Sequence, residues 1–327
     1  MSRGEKRGLR RLWVDDRSVS PVIATVLMVG IVVVIAASIG AVAFGFTDNL
    51  GEATVAASGD QCVIETVKFD PNDVSGFADQ LGSSCVVWFD ATKTDYSDGD
   101  TVDEWEDQSK NPYDLTSADD ASISDPTWRN DVGGLAAVEF DGTNDEGLST
   151  SVNTSRANVV GETSISVTAL VHVEAGESTL LQVGQPVSGD NEYFRHGYND
   201  DGSTEYPWYA FADIDAPPAS QFYGHSPNAG NSVGTWKVVS YVHDGSHLDA
   251  YVDGESKGGQ DGRLDISDGS IQIGYETNDV GPVSSTFLHG AVAELVVFEK
   301  ALTDDEREAI ECALAQKHGN AVSVAGC

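Results

Sequence analysis

Hydrolysis of a glycosidic bond needs two carboxylates about 5–9 Å apart, and Asp103-Glu-Trp-Glu-Asp107 is the densest local candidate in this chain. On a strand, Asp103 and Asp107 would share one face with Trp105, and Glu104 and Glu106 would take the other. A second chemistry is suggested by Asn199, Asp200, Asp201 and Glu205, which surround Gly202. Hard oxygens of this kind are what calcium takes, although the spacing is not that of a helix–loop–helix calcium loop. Asp141, Asn144 and Asp145 form a similar group. Solvated turn carboxylates are the alternative for both, because an acidic chain produces such clusters by chance. A third candidate is aromatic. Tyr193, Phe194, Tyr198, Tyr206, Trp208, Tyr209, Phe211, Phe222 and Tyr223 crowd into 31 residues. Tyr206, Trp208 and Tyr209, beside acidic groups, suit stacking on sugar rings; alternate members would instead fill a core. His243 and His247 flank an Asp-Gly turn with no third metal ligand in view.

The sequence lacks a Gly-x-Ser-x-Gly elbow, a phosphate-binding Walker loop, a dinucleotide fingerprint and a Cys-x-x-Cys pair. Acidic residues outnumber basic ones 53 to 18, for a net charge of −35. The first 18 residues hold six of the basic and three of the acidic residues, so 50 acidic residues face 12 basic ones beyond them. A surface of that sign does not bind nucleic acid, whose phosphates require Lys and Arg. It suits a protein dissolved in concentrated salt, where self-repulsion is screened within about 3 Å. Many Trp, Tyr, Phe, Val and Ile residues argue for a folded chain rather than a charged, disordered one.

The elements that would position these groups fall into two unequal parts. Ser20 to Phe46 carries no charge, and a single helix crosses a bilayer with roughly 20 apolar residues. It is too long for the core of a cleaved secretory signal, which runs to about 7–15 residues. Arg3, Lys6, Arg7, Arg10, Arg11 and Arg17 precede it, a basic flank that stays cytoplasmic. Pro21 is tolerated because the first N–H groups of a helix have no internal partner. Gly30, Ala37, Gly40 and Ala43 are small enough to let neighbouring helices approach closely.

Residues 15–23, Asp-Asp-Arg-Ser-Val-Ser-Pro-Val-Ile, together with Leu27, Met28 and the Ile-Val-Val-Val-Ile run, resemble the start of haloarchaeal type IV pilins. The resemblance covers about 30 residues. It implies a leader removed ahead of the hydrophobic helix by a prepilin peptidase, between Ser18 and Val19, with Arg17–Ser18 as the alternative. Ser18 stands where that family usually has Gly. It also implies a membrane stage, then assembly with other pilin subunits by the pilus machinery.

Beyond the helix, residues 47–84 read as linker and lead-in, with Cys62–Phe69 as a strand. From Cys85 onward, short strands alternate with turn signals. Val86–Phe89, Thr101–Trp105, Ala136–Phe140, Thr163–Val173, Trp236–Val242, Leu248–Val252, Ile271–Tyr275 and Gly290–Phe298 are the expected strands. Asp244-Gly245 and Asp253-Gly254 mark hairpins. Thr303 followed by Glu306 forms a capping box for a C-terminal helix that ends at Gly319, with Ile310 and Leu314 toward the sheet. About a dozen strands with so little helix indicate a mainly β, two-sheet jelly-roll sandwich preceded by the N-terminal hydrophobic α-helix. The domains are 1–18 leader, 19–57 helix and linker, 58–84 lead-in, 85–319 sandwich and 320–327 tail.

Val86-Val-Trp-Phe-Asp-Ala91, Val102-x-x-Trp-x-Asp107-x-Ser109, Tyr113-Asp-Leu-Thr116, Val138-Glu-Phe-Asp-Gly142, the Trp236–Gly254 hairpin and Phe298-x-x-x-Leu302-Thr-x-x-Glu306 resemble LamG-like, concanavalin A-like domains. That resemblance implies the fold over residues 85–319 but not an activity, since lectins, adhesion modules and glycosidases share it. Asp107 falls where the non-catalytic members have a turn Asp, and the segment lacks the Glu-x-Asp-x-x-Glu strand of the fold's hydrolases. The expectation is therefore a surface subunit for adhesion or glycan binding, not an enzyme. A membrane-tethered glycan-binding protein that never polymerises is the alternative, with a polysaccharide hydrolase more distant.

Cys62, Cys85, Cys312 and Cys327 all follow the hydrophobic run. Export makes disulfides the expected use. Local pairing, Cys62–Cys85 and Cys312–Cys327, is favoured, with a crossed arrangement nearly equivalent. Asn153-Thr-Ser155 is a sequon, and Asn153 a candidate glycan acceptor. No cofactor is required, and calcium is the metal the acidic loops would take.

Overall fold

The computed structural model describes most of residues 84–327, apart from 110–112, 119, 143, 151–158, 161–163, 175–177, 185–193, 199–207, 213–232, 279–280, 283–285 and 320. Before residue 84 it describes only β1 (Glu52–Ala53) and β2 (Val67–Lys68). The sandwich begins with β3 (Cys85–Asp90), β4 (Glu104–Trp105), β5 (Leu115–Ser117), β6 (Thr127–Val132), β7 (Leu135–Asp141) and β8 (Leu148–Thr150). It continues with β9 (Ile165–Val173), β10 (Ser178–Val183), β11 (Phe194–Tyr198), β12 (Trp208–Ala212), β13 (Trp236–His243), β14 (His247–Val252) and β15 (Glu255–Asp261). β16 (Ile271–Ile273), β17 (Thr277–Asn278), β18 (Gly281–Pro282), β19 (His289–Phe298) and helix α1 (Asp304–Lys317) complete it.

Two antiparallel sheets face each other. The first has the order β12-β11-β10-β16-β8-β5-β4. The second has the order β15-β14-β13-β9-β19-β7-β6, with β3 also paired to β19. β19 is long enough to hold two partners along one edge: His289–Val292 pair with β7, and Glu294–Phe298 with β3. Phe89, Trp105, Leu115, Phe140, Val167, Ile273 and Leu295 belong to the core between the sheets. The expected mainly β sandwich of two sheets is present.

The central strands of the second sheet, β3, β9 and β19, are buried on both faces. Along β9, Ile165, Val167, Ala169, Val171 and Val173 point into the inter-sheet core. Leu170, with Trp88, Ala293, Val296 and Phe298, packs into a second cluster beneath α1. Ile310 and Leu314 are the helix's contribution, as their spacing requires. Thr303 caps α1 and Glu306 closes the capping box. The tail continues this packing, since Val322 and Val324 are buried in the same cluster. Cys312 and Cys327 are disulfide-bonded with Cα atoms 5.3 Å apart. Cys85 is buried in β3, whereas Cys62 lies outside the described residues, as do Ser18, Val19, Gly30, Ala37, Gly40, Ala43 and Asn153. Among the described residues, no helix is long and apolar enough to cross a membrane.

The Asp253-Gly254 turn joins β14 to β15 with positive φ at both residues, 52° and 80°. This is the left-handed pair that a two-residue hairpin needs. Gly254 is required twice, because a Cβ there would lie 2.6 Å from the Ala325 carbonyl oxygen.

Candidate functional site

One row of residues crosses the whole first sheet. Phe211 pairs with Arg195, Arg195 with Gln182, Gln182 with Gln272, Gln272 with Ser149, Ser149 with Thr116 and Thr116 with Glu104. Strand alternation puts Gln182, Gln272, Ser149, Thr116 and Glu104 of this row on the face away from the core. Its sequence neighbours Leu181, Val183, Ile271, Ile273, Leu148, Leu115 and Trp105 are all core residues. The row is almost entirely amide, hydroxyl and charged groups, the types that exchange hydrogen bonds with polyhydroxylated ligands.

The middle of the row is covered. Thr277 of β17 donates its N–H to Gln182 Oε1 at 3.2 Å and accepts from Gln182 Nε2 at 3.2 Å. Its hydroxyl donates to Gln272 Oε1 at 3.2 Å. Glu276 accepts from Thr179 Oγ1 at 3.4 Å. The strap formed by β17 and β18 thus buries Gln182 fully and Gln272 nearly so. At one end of the row Thr116 is half-buried and Glu104 exposed. At the other end, β11 and β12 pair Tyr198 with Trp208 and Gly197 with Tyr209; the side chains of Trp208 and Tyr209 lie outside the described residues. Tyr206, Asn199, Asp200, Asp201 and Glu205 lie outside the described residues.

The acidic segment 103–107 is not one strand. Only Glu104 and Trp105 join the sheet, because Val102 N–H donates to the Pro126 carbonyl and Thr101 bridges to Thr127 on the other sheet's side. Trp105 is fully buried against Phe89, with ring centres 5.6 Å apart. Asp107 Oδ1 accepts from the N–H groups of Trp88 and Ser109 at 2.8 Å each. Its Oδ2 accepts the Ser109 hydroxyl at 2.7 Å. Burial pushes the Asp107 carboxyl up, with these donors pulling the other way. Asp103 accepts the Tyr96 hydroxyl at 2.7 Å. Asp107 therefore organises a loop instead of facing a partner carboxylate across a sugar.

The group at 141–145 is likewise a turn. Asn144 donates its N–H to Asp141 Oδ1 at 3.0 Å and its side-chain amide to Oδ2. Asp141 N–H donates to Glu146, whose carboxyl is carried up to about 7, first by burial. His243 is buried and accepts the Gly245 N–H at 2.8 Å; burial lowers it to about 4. His247 is held by Asp261 at 2.6 Å, which raises it. Among the described residues, no three such side chains converge to hold a metal ion.

Sequence reasoning missed a buried ionic cluster under α1. Asp90 on β3, Glu294 on β19, and Lys317 and His318 at the end of α1 meet there, at most 7% exposed. The signal was present: Asp90 ends the apolar run Val-Val-Trp-Phe, and Glu294 interrupts Ala-Val-Ala-Glu-Leu-Val-Val. A charge inside a doubly buried strand requires a partner. The polar row was also legible, as the triplets Leu148-Ser-Thr, Ile271-Gln-Ile and Leu115-Thr-Ser.

Residues 17–58 match the archaeal type IV pilin N-terminal family. Residues 144–306 match the family described as the concanavalin A-like lectin/glucanases superfamily. No curated protein sequence matches the chain. Among solved structures it is similar to the binding domain of Paraclostridial Mosquitocidal Protein 1, at 11% identity over 71% of this chain and 52% of that one, with a TM-score of 0.48. It is similar to Trypanosoma rangeli sialidase in complex with sialic acid, at 20% identity over 73% and 34%, TM-score 0.43. A third is the Ruminococcus gnavus IT-sialidase CBM40 bound to alpha2,3 sialyllactose, at 10% identity over 69% and 99%, TM-score 0.41. The chain spans about half the length of the first of these and about a third of the sialidase. The chain thus joins a segment that matches the archaeal type IV pilin N-terminal family to a domain that matches the concanavalin A-like family.

Proposed function

We propose that this pilin-like surface protein is a minor, adhesive subunit of an archaeal pilus. A prepilin peptidase cuts between Ser18 and Val19. The hydrophobic helix then exchanges lipid for neighbouring subunits, packing through Gly30, Ala37, Gly40 and Ala43. The concanavalin A-like domain stays outside the cell and binds surface glycans without cleaving them. Its acidic surface keeps it dissolved in brine.

The observation that carries this reading is the joining of a pilin-type segment to a domain whose first sheet carries the polar row from Glu104 to Gln182 on its outer face. Support for binding over hydrolysis comes from Asp107, whose oxygens are taken up by loop donors.

Two measurements test it. N-terminal sequencing of the subunit from sheared filaments should begin at Val19; a start at Met1, or absence from filaments, would leave a tethered, non-polymerising protein instead. Glycan panels probed in molar salt should show binding that Arg195→Ala weakens about tenfold or more, since a hydrogen bond to a charged group contributes about 1.5–3 kcal/mol. Polysaccharide turnover that disappears in Glu104→Gln or Glu106→Gln would reverse the assignment to a hydrolase.

A further inference from the structure

Lys317 Nζ lies 2.5 Å from Asp90 Oδ2 and 2.7 Å from Glu294 Oε2. Asp90 and Glu294 are register partners on β3 and β19, so their side chains stand together. The last residue of α1 places an amine between them. Both carboxylates are fixed in orientation. Glu294 Oε1 accepts Trp88 Nε1–H at 2.7 Å, and its Oε2 also meets His318 Nε2 at 2.8 Å. Asp90 Oδ1 accepts the N–H of Thr92 at 2.9 Å and its hydroxyl at 2.7 Å. Asp90 and Glu294 are 0% and 1% exposed, and Lys317 7%.

A primary amine, a carboxyl carbon and a second carboxylate, all oriented and dry, are the components of an amide condensation. We propose that Lys317 and Asp90 form an intramolecular amide bond, with Glu294 carrying the protons. A proton first leaves the Lys317 ammonium and passes through Glu294 to Asp90 Oδ2, giving a neutral amine and a neutral carboxyl group. The nitrogen lone pair attacks Asp90 Cγ and the C–N bond forms. Negative charge develops on Oδ1, where the two Thr92 donors already sit within the 2.7–3.1 Å window of an oxyanion hole. Glu294 then takes a second proton from the nitrogen and delivers it to Oδ2. The Cγ–Oδ2 bond breaks and that oxygen departs as water. Glu294 ends as the carboxylate it began as, and no oxidant or reductant is involved.

Two physical effects favour the step. Fixed reactants behave as if present at effective concentrations of up to about 10⁵–10⁸ M, which replaces the collision that makes amide formation slow in solution. Water exclusion opposes the reverse hydrolysis. The product also exchanges a buried cation and a buried anion, each expensive to desolvate, for one neutral amide. The other use of this geometry is a permanent ion-pair network that only orients the helix.

Peptide mapping of the full chain distinguishes the two. After denaturation, reduction and trypsin digestion, the bond predicts residues 69–93 joined to 308–327, lighter than their sum by one water and uncut after Lys317. Recovery of 308–317 and 318–327 as separate peptides, with 69–93 linear and no joined species, would overturn the proposal. In Glu294→Gln, folding being checked by the Cys312–Cys327 disulfide, the joined peptide should be lost. Its full retention would remove Glu294 from the reaction. Should that variant not fold, the wild-type map alone still decides whether the bond exists.

Discussion

The outer faces of the two sheets solve opposite problems. On the first sheet, polar residues alternate with core residues, and the described part of the outward row is hydroxyl, amide and carboxylate, covered at its centre by β17 and β18. At the centre of the second, the outward positions are apolar residues, hydrogen-bonded hydroxyls and paired charges, covered by α1 and the tail, which the Cys312–Cys327 bond joins. Arg307 adds to the seal, pairing with Glu311 and lying 3.8 Å from the Tyr251 ring. The lesson is that one sandwich can carry a face suited to exchanging hydrogen bonds with ligands and a face committed to stability. Substitutions on the two should therefore differ in kind.

The largest effect should come from the sealed side. Lys317→Leu leaves Asp90 and Glu294 buried without the amine between them, a loss of about 3–5 kcal/mol readable by urea unfolding. An equal loss from Gln272→Leu on the first sheet would break the contrast. Next, the double variant Cys312→Ser, Cys327→Ser frees a loop of 15 residues and should cost about 3 kcal/mol, measured as a fall in the unfolding midpoint. On the first sheet, Gln182→Ala removes the strap's anchor and should cost about 1–3 kcal/mol. Its diagnostic sign is faster hydrogen exchange confined to 275–282. The remaining effect, confined to a pH window, concerns Glu146 at the rim. Its folded value of about 7 exceeds the ordinary 4.5. The fold thus favours the protonated form, and that contribution is lost as pH rises from 4.5 to 7. Glu146→Gln should match the wild type below that window and exceed it in stability above. A variant that gained at low pH instead would contradict the burial of this carboxyl.

Local chemistry made much of this readable in advance. The Asp253-Gly254 turn, the Thr303–Glu306 cap and the alternation in β14 each state their own geometry within a few residues. Of the doubly covered strands, β19 showed as a long apolar run, whereas β9 alternates like a half-exposed strand; what covers the second face is not written in either. The Asp90–Lys317 contact joins residues 227 positions apart, beyond any local pattern. Reading 101–105 as a single strand failed because Thr101 and Val102 hydrogen-bond toward the other sheet. The proposed ligand positions at 199–206 stay outside the described residues, while position 209 can be placed by register alone.

The placement of β3 has a mechanical corollary. Any pull transmitted along the chain toward Ser84 reaches the domain through that strand, whose whole length is buried and laced to β19. Cys327 is tethered to α1 on the same layer. Load would run through the sealed layer, leaving the polar row of the opposite sheet as a slack passenger outside its path.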